Sequence, residues 1–263
     1  MDMPTRLPSL FLSHGSPMLA IEDSAGGRFL DALGEQLPWP KAILVASAHF
    51  AADRATLGAH AQPPTVHDFN GFPESLHRIG YPAPGSPDLA QDASQRLAAA
   101  GIPARMCESQ GLDHGVWVPL RRMYPSADIP VVPMSVMPGG NAAQHHAIGR
   151  ALAPLRQQGV LVIGSGGFVH NLGDLDWEHS DAPLAPWAQE FSDWMHAMLS
   201  ARDFDALIDW QQRAPQARRA HPTVEHLMPL FVALGAAGDA PEVRTIHRSQ
   251  QFGSLALDAF AFD

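Results

Sequence analysis

Two apolar runs in this chain end on histidine. "LFLSHGSP" (residues 10–17) stops at His14, and "ILVASAHF" (43–50) stops at His49. An imidazole carries a nitrogen lone pair that can take a proton or a metal ion near neutral pH. Two more histidines sit in similar places. His170 follows "VLVIGSGGFV", and His114, in "GLDHGVWVPL", follows the short run "ARMC" (104–107). A fifth, His226, lies in "HPTVEHLMPLFVALGAA" (221–237), early in an expected helix that Thr223 could cap.

The chemistry that unites these residues is a mononuclear metal site. Neutral imidazole suits zinc, iron, copper and nickel. Ligands drawn from separate strand ends give the rigid placement a catalytic metal needs while leaving a coordination position open. The spacing is not a compact HExxH motif, so spacing alone does not separate ligands from hydrogen-bonded loop histidines. His221 and Glu225 are rival ligands beside His226. Two histidines and a carboxylate form the usual facial set for non-haem iron(II). Neighbours on a helix point about 100° apart, however, which sets Glu225 and His226 in different directions.

Other motifs point elsewhere or nowhere. "GSGGFVHNL" (164–172) lacks GxGxxG and no Lys-Ser/Thr pair follows it, so its glycines read as places where backbone passes close to a pocket. Ser16 and Ser47 stand near histidines, but no GxSxG elbow is present. Cys107, the single cysteine, reads as a core residue and precludes an intrachain disulfide.

These residues need elements to hold them. "SLFL" (9–12), "AILVAS" (42–47), "IPVVPMSV" (129–136) and "VLVIGS" (160–165) read as buried strands. Helical patterns cover 88–101, 141–159 and 186–200, and the tail from Glu242 reads as a closing hairpin. This alternation predicts an α/β fold: a single catalytic domain over 1–263, with a central mostly parallel or mixed sheet flanked by helices on both faces. The proline-rich stretch 60–87 has no steady period yet carries Phe69, Phe72 and Tyr81, which predicts a loop packed over a pocket.

Composition narrows the partners. Hydrophobic residues make up 46% and the formal net charge is -10, which suits a globular enzyme and argues against a nucleic-acid partner. No basic amphipathic stretch, signal peptide or long apolar run is evident, so a cytoplasmic location is expected.

"LFLSHGSPM", "VASAHF", "PPTVHDFNGFPESL", "YPAPGSP", "GLDHGVWVPL", "MYPSADIPVVPMS", "GSGGFVHNL" and "PTVEHLMPL" occur in the order seen in the DOPA extradiol dioxygenases, within the class III extradiol ring-cleavage enzymes. The chain resembles that family from about residue 7 onward. The resemblance implies one divalent metal, Fe2+ for catalysis with Zn2+ often filling the site in purified protein. It implies His14, His49 and His226 as metal ligands. His170 would be the catalytic base, able to touch the metal before substrate arrives, and His114 a second active-site histidine. Phe50 stands where the family usually has a tryptophan after the "SAH" of "VASAHF". The partners would be a small aromatic diol and O2, the loop stacking Phe69 or Phe72 on the ring, and the product a muconic-semialdehyde-type compound. An anionic substrate would need a cation, for which Arg78, Arg121 and Arg122 are candidates. Two other readings are a zinc hydrolase and a non-enzymatic metal-binding protein like the Memo branch. The latter has a cysteine at its metal site, whereas Cys107 lies outside the matching C-terminal segment.

Overall fold

Residues 6–263 are described by the computed structural model; the first five residues of the domain expected over 1–263 lie outside them. Eight strands form one sheet. β1 (Ser9–Ser13), β2 (Ala42–Ala51), β3 (Ala55–Gly58), β4 (Ala104–Cys107), β5 (Val131–Val136), β6 (Val160–Gly166), β7 (Val243–His247) and β10 (Ala259–Phe262) lie in the order β4-β3-β5-β2-β6-β1-β10-β7. β8 (Gln250–Gln251) and β9 (Leu255–Ala256) make a small separate hairpin between the last two strands. The four central strands β5, β2, β6 and β1 are parallel. Antiparallel partners flank them: β3 beside β5, and β10 then β7 beyond β1. The sheet is therefore mixed, and the tail closes it as a hairpin interrupted by β8 and β9.

The central strands read as unbroken apolar runs because both faces are covered. Leu10, Leu12, Ile43, Val45, Leu161 and Ile163 face one core, with α1 (Ala25–Gln36) and α3 (His114–Met123) over it. Phe11, Leu44, Ala46, Val160 and Val162 face the opposite side. There α2 (Pro87–Ala99), α4 (Ala142–Leu152), α5 (Pro186–Ala201) and α6 (Met228–Ala236) pack. Successive side chains point to opposite faces of a strand, so a run of aliphatics fills both layers.

The predicted helices are present with small shifts. Asn141 caps α4 through a capping box with Gln144. The expected helix over 221–237 begins only at Met228, and residues 221–227 form turns. Thr223 therefore does not cap it, and His226 stands in the approach to α6. Pro229, in its first turn, suits a start at that point. α1 and β3 were not anticipated. The helix opens on Gly26 and Gly27, which blur its period, while Ser24 caps it by accepting from the Gly27 N–H. β3 is too short to show an alternation.

Register levels the strand ends that matter. Ser165 of β6 pairs with Ser47 of β2 on one side and Leu12 of β1 on the other. The carboxyl ends of three adjacent parallel strands thus finish together, which is where α/β sheets bind ligands. Beneath them, buried Arg156 donates to the carbonyls of Leu7, Ala236 and Phe262, at 2.6, 3.0 and 3.0 Å. It ties the entry to β1, the end of α6 and the last strand into one base.

Candidate metal centre and its cavity

His14 is the first residue past β1, and its N–H donates to the Gly166 carbonyl at 3.0 Å. His49 lies inside β2, near its carboxyl end. His226 arrives from the other side of the sheet, on the turn before α6. Glycines admit that turn. A Cβ at Gly166 would stand 2.0 Å from the His226 carbonyl oxygen, and one at Gly164 would stand 2.0 Å from the Pro229 carbonyl oxygen. The Gly167 N–H donates to the His226 carbonyl at 2.9 Å. The glycines of "GSGGFVHNL" do let backbone approach closely, and the backbone in question carries His226.

The three imidazoles meet through one type of nitrogen. His49 Nε2 is 3.0 Å from His14 Nε2 and 3.3 Å from His226 Nε2. Nitrogens so close need a shared proton or a shared cation between them. A metal about 2.0–2.1 Å from imidazole nitrogen in tetrahedral or octahedral geometry spans nitrogen pairs about 3.0–3.4 Å apart. The separations here match that span. Among the described residues these three form one group with the spacing to hold an ion; His49, Asp68 and His114 form the other.

The lone pairs are available. Burial, reinforced by neighbouring imidazoles, holds His14 well below the ordinary histidine range and His49 down at about 3. At neutral pH both rings are uncharged, the state a ligand requires. Outer partners set which nitrogen bears the proton. Ser165 Oγ commits its one hydrogen to the Gly115 carbonyl, so it must accept from His14 Nδ1, 3.0 Å away. His14 Nε2 is then unprotonated. Glu225 Oε1 lies 3.1 Å from His226 Nδ1 and also accepts from Thr223 Oγ1 at 2.8 Å. The hydrogen bond from His226 holds the Glu225 carboxyl at about 2. A carboxylate behind a histidine is the usual orienting arrangement at metal sites. Glu225 is thus placed behind His226 and not beside it.

The other sequence-derived residues surround this point. His170 stacks face to face on His226, ring centroids 3.5 Å apart and planes 7° from parallel, and adds no nitrogen to the converging set. Burial and the His226 ring push its pKa down to about 2, well under the unperturbed value of about 6.5. His114 is the first residue of α3 and not a strand-end residue; Asp113 precedes it. Its ring lies 3.8 Å from that of His49, centroid to centroid. His221 is buried and turned away, with Nε2 3.1 Å from the Phe168 carbonyl oxygen and its ring against Phe191 and Trp210. That position excludes it from the converging nitrogens.

The centre opens into a cavity of about 890 Å3. His14, His49, His114, His170 and His226 line it, as do Phe69 and Phe72 from the 60–87 loop. The two phenylalanine rings meet edge to face at 5.4 Å, and Phe69 stands 5.7 Å from the His114 ring. Tyr81 is buried instead, donating its hydroxyl to the Tyr124 carbonyl at 3.1 Å. The charged side chains on the cavity wall are Glu22, Asp23 and Asp181, all acidic. None of the candidate arginines reaches it. Arg121 donates to the Ala20 carbonyl, Arg122 pairs with Asp31, and Arg78 pairs with Glu74. Asp68, Ser165 and the acidic rim were not singled out from sequence, because nothing local marks a residue whose partner is an imidazole far along the chain.

Known proteins resemble this chain over nearly all of its length. Residues 8–256 match the family described as the catalytic LigB subunit of aromatic ring-opening dioxygenase. A 4,5-DOPA dioxygenase extradiol of Beta vulgaris is 40% identical over 258 residues, 97% of this chain and 96% of the relative. One from Escherichia coli K12 is 40% identical over 257 residues, 96% and 93% of the two chains. The crystal structure of an uncharacterized Escherichia coli K12 protein superposes with a TM-score of 0.84 at 35% identity, covering 98% of this chain and 100% of that one.

Proposed function

This chain belongs to the LigB family of aromatic ring-opening dioxygenases and is an extradiol dioxygenase, and from that premise we propose that it opens the ring of a DOPA-type catechol beside the diol, using one Fe2+ held by His14, His49 and His226. The observation that carries the proposal is the approach of His14 Nε2 and His226 Nε2 to within 3.0 and 3.3 Å of His49 Nε2 at the floor of a cavity wide enough for an aromatic diol. Neutral nitrogen ligands and an open cavity side fit a catalytic metal. Zn2+ fits the same nitrogens and is expected to occupy some purified protein.

When bound, the metal supplies Lewis acidity toward two adjacent diol oxygens and a redox partner for dioxygen. The chain does the rest. His170, uncharged and facing the cavity, accepts a hydroxyl proton from the catechol. Burial disfavours its charged form, and an anionic diol lying against it would stabilise the imidazolium, which links proton transfer to substrate binding. His114, on the cavity wall beside His49, hydrogen-bonds a substrate oxygen and carries a proton during ring opening. Phe69 and Phe72 lie along the ring and keep water from the reacting carbons. Both atoms of O2 enter the product, a muconic-semialdehyde-type acid. No helix among the described residues is long and apolar enough to cross a membrane, and the single cysteine suits the reducing cytoplasm we propose for it.

Anaerobic reconstitution with Fe2+, followed by oxygen uptake with a catechol panel, tests the proposal. One mole of O2 consumed per mole of catechol, with a yellow product, is the expected result. Ester or amide hydrolysis by a zinc-loaded protein without oxygen uptake would overturn it.

A further inference from the structure

Asp68 belongs to the loop between β3 and α2, and its two carboxylate oxygens face different imidazoles. Oδ1 accepts from the backbone N–H of His114 at 2.9 Å. The same oxygen lies 3.0 Å from His114 Nδ1, at ion-pair distance but off the line of a direct hydrogen bond. Oδ2 lies 3.4 Å from His49 Nδ1, likewise at ion-pair distance and wider than a direct hydrogen bond, which a small turn of the carboxylate would close. A carboxylate thus rests against the outer edges of two histidines whose rings are 3.8 Å apart.

We propose that Asp68 is a positioning residue that keeps the His49 proton on Nδ1, so that Nε2 offers its lone pair where His14 and His226 converge, and that ties His114 to the same ligand. The inference rests on the reading of His49 as a metal ligand. A neutral imidazole has one N–H, and the acceptor it faces decides which nitrogen carries it. Ser165 does this for His14 and Glu225 for His226; Asp68 completes the set. It differs from the other two in touching a second active-site histidine.

The geometry makes an unusual forecast for isosteric replacement. In Asp68→Asn the side-chain carbonyl is pinned by the His114 N–H, which needs an acceptor. The amide NH2 must then occupy the Oδ2 position and point its hydrogens at His49 Nδ1. That favours the tautomer with the proton on Nε2, the wrong one for coordination. In Asp68→Ala the partly exposed His49 can use water as its acceptor. A merely structural role ranks asparagine as the milder change; a tautomer-setting role ranks it as the worse one.

The test is anaerobic titration of the metal-free full-length chain with Fe2+ alone, for wild type, Asp68→Asn, Asp68→Ala and Asp68→Glu. Loss of an outer partner costs about 10–100-fold in metal affinity. The expected order is wild type, then Glu, then Ala, with Asn weakest. Asn binding as tightly as wild type, or more tightly than Ala, overturns the proposal. Nitrogen-15 NMR of histidine-labelled wild type loaded with diamagnetic Zn2+ gives a readout that needs no variant to fold: the His49 Nδ1–H should be shifted downfield and protected from exchange by its carboxylate acceptor, and a rapidly exchanging Nδ1–H overturns the proposal equally. Neither readout uses ring opening. Wild type that binds Fe2+ but opens no catechol ring therefore counts against the proposed reaction and not against Asp68.

Discussion

Ser165 Oγ stands 3.0 Å from His14 Nδ1 and spends its own hydrogen on the Gly115 carbonyl. One buried hydroxyl therefore ties β6 to the histidine at the end of β1 and to the start of α3, beside His114. His14 is 2% exposed and Ser165 fully buried, so no bulk water can replace the bond.

Removing that acceptor has a defined consequence. Ser165→Ala should lower metal affinity by about 10–100-fold while the chain stays folded, and Ser165→Thr, which keeps a hydroxyl, should recover most of it. Metal titration of the two variants alongside thermal melts checks this. Equal affinity for Ala and wild type would remove the serine from the account.

The two neighbours Glu225 and His226 should separate cleanly. His226→Ala removes a nitrogen from the convergence and should leave the protein without stoichiometric metal. Glu225→Ala leaves that nitrogen in place and should bind metal about 10–100-fold more weakly than wild type, the cost of an outer partner. Elemental analysis after reconstitution decides. Full occupancy in His226→Ala with loss in Glu225→Ala would reverse the roles.

Acid should unfold the metal-free protein through its buried histidines. His221 is pushed down to about 4, His49 to about 3 and His170 to about 2, burial being the largest cause in each. In the unfolded chain they take up protons near 6.5. Between 6.5 and 4 the unfolded state therefore binds more protons than the folded one, and stability rises with pH. Asp113 runs the other way: its carboxyl is buried and raised to about 6, so its contribution declines as pH climbs past 4 toward 6. Three histidines outnumber one aspartate, so the melting temperature should fall as pH drops from 7 to 5. A melting temperature flat or rising over that interval would contradict the neutral, buried imidazoles.

Substrate charge should be read by the cavity wall. Among the described residues Glu22, Asp23 and Asp181 line it and no lysine or arginine does, although Asp23 also pairs with Arg28. Catechols with an amine should show a KM about threefold or more below that of equally sized catechols with only a carboxylate, and the gap should shrink with added salt. Glu22→Gln should narrow it without changing kcat. A lower KM for the carboxylate series would show that a cation from outside this lining governs recognition.

What the sequence revealed follows from how local each signal is. His14 and His49 stood out because apolar strands ended on them, and the glycines near His170 announced a close approach. His226 was a candidate from its place near an expected helix start, and family resemblance set it ahead of His221 and Glu225; that helix was drawn too early, since its true start at Met228 depends on how the turn crosses Gly166. The 60–87 loop showed by its aromatics that it covers a pocket, and Phe69 and Phe72 do line one. Asp68 and Ser165 were invisible because each acts on an imidazole from a different strand: 19 residues separate Asp68 from His49, and 151 separate Ser165 from His14. The arginines offered as anion partners failed for a similar reason, each being committed to a partner of its own.

The most direct measurement is a crystal structure of the Fe2+-loaded protein with anomalous data collected at the iron edge. A single peak is expected about 2.1 Å from Nε2 of His14, His49 and His226, with the remaining coordination positions open to the cavity. A peak bound by Glu225 or His221, or one displaced to the His49–Asp68–His114 group, would contradict this placement.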